Sequence, residues 1–142
     1  MSIKMKFAFG FYLFCALVGF AFGLIYLFSP KFMPYHEAAV GLSWGEVDSA
    51  FQAVILSFMR VVGGGLLATM AAICIFLFIP FRRGDKWARW AIPVVLLIFN
   101  TVSLYVMLIM KFNTPASPPW MVSALLIVLS IVGYILSSDL GK

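Results

Sequence analysis

SWGEVDSAFQAVILSFMRVVGGGLLATMAAICIFLFIPFRR, residues 43–83, decides how this chain folds. Ser43-Trp44-Gly45-Glu46 has the capping-box pattern, a Ser answered by a Glu three residues on, which marks a helix start. Trp44, Val47, Phe51, Val54, Ile55 and Phe58 then recur at helical spacing, with Glu46, Asp48, Ser49 and Gln52 between them. After Arg60 no charge appears until Arg82. A helix over residues 44–79 would be about 50 Å long, well beyond the roughly 30 Å hydrocarbon core of a bilayer. Its first turns are therefore expected to protrude or lie along the interface as a short helix, with a membrane span following over about 58–79.

At 100° per residue, Glu46, Ser49, Ala53, Ser57, Arg60, Gly64, Ala68 and Ala71 share one small and polar face of this helix. In lipid, small residues mark the side where another helix approaches closely. Gly64 and Ala68 are thus expected at a helix contact, and Arg60 on the packed face near the membrane boundary. Arg60 has two readings: it snorkels to the headgroups, or it faces an internal polar site.

The flanking sequence has the same character. The 142 residues are 64% hydrophobic and only 11% charged, with a mean hydropathy of +1.09, whereas a soluble domain carries about 25% charge. Lys4 and Lys6 precede an apolar run over 7–28 that resembles a signal peptide but continues too long for one, so an uncleaved first span is expected. Further spans are read at about 91–110 and 120–137, with Trp87 and Trp90 around Arg89 as interfacial anchors. The fold class that follows is an all-α membrane protein: one domain over 1–142, with four antiparallel transmembrane helices in a bundle and a short interfacial helix before the second.

Charge sets the orientation. Lys4, Lys6, Arg82, Arg83, Lys86, Arg89 and Lys142 fall on one side, and only Lys31 and Lys111 lie in loops on the other. The positive-inside rule then places both termini in the cytoplasm. The net charge of +5 is explained by topology, and no basic stripe with interleaved aromatics points to nucleic acid.

Each other span also has a small or polar stripe: Tyr12, Ala16, Gly19, Gly23 and Tyr26 in the first, Pro93, Leu97, Asn100, Ser103 and Met107 in the third, and Ser123, Ile127, Ser130, Tyr134 and Ser137 in the fourth. One reading is helix-packing seams, with Gly19, Gly23, Gly64 and Ala68 at the contacts. The other is a site for an amphipathic ligand with an anionic head, such as a lipid, a fatty acid or a quinone-like compound. Its candidate residues are Arg60, Tyr26, Glu37, His36, Asn100, Ser103 and Ser123. The 31–42 connection would form a lid, and Glu37 would be the carboxylate that reaches Arg60.

Enzymatic chemistry finds little support. Cys15 and Cys74 lack the CxxC spacing of a redox pair, a single histidine cannot supply bis-histidine haem ligation, and the spans hold no Asp or Glu for proton coupling. No catalytic residue, metal ligand or resident cofactor is expected, although quinone or lipid suits the polar faces as a ligand.

Phe58-Met59-Arg60-Val61-Val62-Gly63-Gly64-Gly65 and Arg83-Gly84-Asp85-Lys86-Trp87-Ala88, with four spans in this length, resemble the small bacterial inner-membrane proteins grouped as DoxX-like. The resemblance implies a bacterial inner-membrane location and, for some members, an oxidoreductase or respiratory partner. The expected function is a non-enzymatic accessory or ligand-binding membrane protein, surrounded by lipid and paired with a membrane partner or a second copy. A quinone-linked oxidoreductase subunit and a small transporter are the alternatives.

Overall fold

The computed structural model describes residues 2–139; Lys142, counted above for orientation, lies outside them. Within them every regular element is helical: α1 (Ile3–Phe28), α2 (Pro34–Val40), α3 (Ser49–Phe76), α4 (Ala88–Asn113) and α5 (Trp120–Leu136). Tight 3₁₀ turns occupy Trp44–Glu46 and Ser137–Asp139, and α3 runs on through a wider π turn over Leu77–Phe81. Three helices, Ile3–Phe28, Ser49–Phe81 and Ala88–Asn113, are long and apolar enough to cross a membrane, and α5 is a shorter apolar helix.

The start of α3 corrects the sequence reading. Ser43 and Glu46 do form their capping box, with Ser43 N–H and Oγ both donating to Glu46 Oε2 at 2.8 and 2.7 Å. It opens only the 3₁₀ turn, because Val47 turns extended (ψ 132°) and ends it. Asp48 then caps a new helix through its Oδ1, which accepts Ala50 N–H at 2.9 Å. The amide of Gln52 ties the two pieces together by donating to the carbonyls of Trp44 and Val47. The short separate helix is α2, within the 31–42 connection, started by Pro34 and closed by Gly41 in the left-handed conformation (φ 73°).

Packing runs through α1. Gly19 faces Met70 and Gly23 faces Leu67 and Gly63, so α1 and α3 are antiparallel. Tyr12 lies against Gly133 and Cys15 Sγ contacts Leu126 O, which sets α5 antiparallel to α1. Arg89 over Tyr134 and Ser123 on Met107 do the same for α4 and α5. The connecting π turn brings α3 to α4, whereas the rest of α3 scarcely touches it. At that end the core is dense: Tyr12, Ile73, Leu77, Phe81, Ala88, Ile92 and Leu96 are fully buried, with Phe81 edge-on to Tyr12 at 5.9 Å. Pro80, having no N–H to give, sits inside the π turn that allows this approach.

The face that α3 buries also differs from the expectation. It is Met59, Gly63, Leu66, Met70 and Ile73, while Arg60, Ala68 and Ala71 are exposed and no atom lies within 4 Å of a side chain built on Gly64. The reason is complementary size. α1 already supplies notches at Gly19 and Gly23, so α3 turns its larger side chains into them. Of the three consecutive glycines in α3 only Gly63 is needed as glycine: a Cβ there would lie 2.6 Å from Leu27 N and 2.8 Å from Gly23 O, where neither backbone can yield.

Gly→Ala substitutions should separate these roles. Gly63→Ala is expected to destabilise by about 1–3 kcal/mol through overpacking. Gly19→Ala should cost less, because it meets the flexible end of Met70. Gly10→Ala and Gly64→Ala, which meet open space, should be neutral or stabilise by up to about 1 kcal/mol through helix propensity. Thermal midpoints in one detergent check the order; a Gly64 variant weaker than the Gly63 variant would contradict the rotation of α3.

Candidate functional site

Away from the dense end the helices enclose a cavity of about 400 Å³. Its walls come from α1 (Cys15, Gly19, Phe22, Tyr26), α3 (Val62, Leu66, Met70), α4 (from Phe99 to Met110) and α5 (Val122, Ser123, Leu126), and α2 closes one end with Tyr35 and His36. The space arises where small residues of α1 and polar residues of α4 and α5 fail to fill the gap between α3 and α4.

Its polar groups fall into two sets. At the α2 end, the hydroxyls of Tyr26 and Tyr35 hydrogen-bond to each other. The His36 ring stands edge-on to Tyr35 at 4.4 Å and to Tyr26 at 6.3 Å. His36 Nδ1 accepts the N–H of Met33 at 3.3 Å, so the neutral ring carries its proton on Nε2. Further in, Ser103 donates to Phe99 O at 2.9 Å and Ser123 to Met107 Sδ at 3.8 Å, which occupies both hydroxyl protons. Asn100, only 3% exposed, gives one amide hydrogen to Leu96 O at 2.8 Å. Its carbonyl oxygen and second amide hydrogen have no partner among the described residues.

Five of the residues singled out in the sequence, Tyr26, His36, Asn100, Ser103 and Ser123, therefore line one cavity. Arg60 and Glu37 do not. Arg60 is exposed on the outer face of α3, turned about 100° from buried Met59, and Glu37 is half-buried on α2 without lining the space. Neither brings its charge to the cavity, so the counter-charge expected there for an anionic head is missing from its lining. Tyr35 was passed over, although its place beside His36 after a helix-starting Pro34 was a usable signal. Phe22, Met70 and Met110 were not distinguishable, since apolar residues fill every face of these helices. Gly19 and Gly23 are buried against α3, while Gly64 and Ala68 are at no helix contact.

Among the described residues no group of three or more His, Cys, Asp or Glu side chains is placed to hold a metal ion. No protein family, curated protein or solved structure matches the chain. The functional reading therefore rests on the helices and the cavity themselves.

Burial holds His36 below its ordinary pKa of 6.5 by disfavouring the imidazolium, and raises the phenol of Tyr35 for the same reason. As pH falls below 6.5 the unfolded chain protonates first, so folding stability is full above 6.5 and declines as pH falls towards the lower folded value. Protonation also removes the lone pair that accepts Met33 N–H. The thermal midpoint should therefore fall between pH 7.5 and pH 5, and His36→Gln should flatten that slope. Identical slopes in the two proteins would contradict the buried, neutral state of His36.

Proposed function

We propose that this chain is an integral protein of the bacterial inner membrane that binds a small amphipathic ligand, a lipid or quinone-like compound, and acts as a binding or accessory protein. In this reading α1, α3, α4 and α5 are four antiparallel spans of a bundle and α2 lies at the interface. At 17 residues and about 1.5 Å each, α5 is close to the length of a thinned hydrocarbon core. Phe7, Leu17, Phe58, Ile98 and Phe112 are among many large apolar side chains left exposed around the helices, as lipid contact requires. Lys4, Lys6, Arg82, Arg83, Lys86 and Arg89 cluster at the π-turn end, which supports a cytoplasmic placement of both termini. The DoxX-like resemblance belongs to the same proposal and adds an oxidoreductase as the partner to look for.

The observation that carries the ligand is Asn100. Its carbonyl oxygen and second amide hydrogen have no partner among the described residues and are open to the cavity, where a polar group of a ligand could pair with them. The volume also lies in the range of ligand pockets, about 300–1,000 Å³.

Asn100→Leu tests this directly. Replacing the amide by an apolar side chain of similar size should leave the ligand-free protein about as stable, because the amide's free atoms face the cavity and only its bond to Leu96 O is lost. It should also abolish a copurifying small molecule seen by native mass spectrometry from mild detergent. A wild type with no adduct, or a variant that keeps it, would contradict the proposal.

A further inference from the structure

Resting on that reading of the cavity, we infer that its ligand is an uncharged, carbonyl-bearing lipid that enters sideways from the bilayer between α3 and α4, its carbonyl held at the Tyr26–Tyr35–His36 end.

Charge gives the first part. No Lys, Arg, Asp or Glu lines the cavity or the adjoining groove of about 360 Å³ under α2. An ionised carboxylate or phosphate placed there would be desolvated without a counter-ion, which apolar surroundings penalise heavily. Hydrogen-bonding capacity gives the second. Tyr26 and Tyr35 use one hydroxyl proton on each other, so one O–H remains free whichever of them donates. His36 offers Nε2–H, since Nδ1 is taken by Met33. This end therefore presents donors, and the complement of two donors without charge is a carbonyl oxygen. Tyr26 and His36 line both the cavity and the groove, so the donors sit where the two spaces meet.

Geometry gives the route. Val62 on α3 and Val102 and Val106 on α4 line the cavity, yet they are 49%, 59% and 51% exposed. The cavity thus breaks the surface between these two helices, along a wholly apolar edge. A hydrocarbon tail fits that opening and a water-borne solute does not. An isoprenoid quinone and an acylglycerol ester share the required chemistry.

The test uses the full chain, delipidated and returned to phosphatidylcholine nanodiscs, with occupancy read by native mass spectrometry. The probes are decylubiquinone, monoolein and, at pH 8, oleate. At least one neutral probe should bind, and which one does so separates a quinone from a glyceride; oleate should bind at least tenfold more weakly. Tyr26→Phe and Tyr35→Phe singly each keep one free hydroxyl and should bind nearly normally, whereas the double variant should lose about tenfold, the value of one neutral hydrogen bond. Val106→Trp, at an exposed edge, should slow uptake without changing the thermal midpoint. Oleate binding equal to monoolein, or an unaffected double variant, would overturn the head-group assignment. Unchanged uptake in Val106→Trp would overturn the route. If either occurs while Asn100→Leu still abolishes binding, the cavity remains the ligand site; if no probe binds, both readings fall.

Discussion

Gly63 lets the backbones of α1 and α3 touch, and that contact decides where the rest of the molecule has room. With the two helices held this close, Leu67 and Met70 must enter the notches at Gly23 and Gly19. α3 is thereby drawn to α1 along this stretch and away from α4. At the other end Pro80 and the π turn bring Leu77 and Phe81 into the dense core beside Ala88 and Ile92. One end is consequently packed to exclusion, while the other keeps a space that no side chain fills.

Much of this was legible in the sequence. Long apolar runs located α1, α3 and α4 and the shorter α5, since few other structures satisfy backbone groups in so apolar a chain. Polar residues inside such runs are conspicuous, so Tyr26, Asn100, Ser103 and Ser123 could be singled out, and the lone His36 in the connection before α3. The rotation of α3 was not legible. Counting small residues treats each helix separately, whereas the notch on α1 determines what α3 must present. Three consecutive glycines gave no hint that only Gly63 bears a contact. α2 escaped notice because seven residues are too few for an apolar period, leaving only Pro34 and Gly41 as marks.

The loss of Arg60 from the cavity changes the chemistry expected of it. A guanidinium would favour anions; tyrosine hydroxyls, a neutral imidazole and an amide are suited instead to uncharged hydrogen-bonding groups. Burial favours the neutral ring, whose Nδ1 accepts Met33 N–H, so the cap of α2 depends on that protonation state, whereas Nε2–H is present in either state. α2 closes the cavity with Tyr35 and His36, the residues that the proposed ligand would meet there.

A density map of the protein purified with its native lipid tests the central claim most directly. The account predicts α1 and α3 in backbone contact at Gly63, α3 and α4 separated beyond the π turn, and non-protein density between them touching Asn100. A map with Val62 and Leu66 packed against Val106 and Met107, the space closed and Asn100 bonded to another protein group, would contradict it.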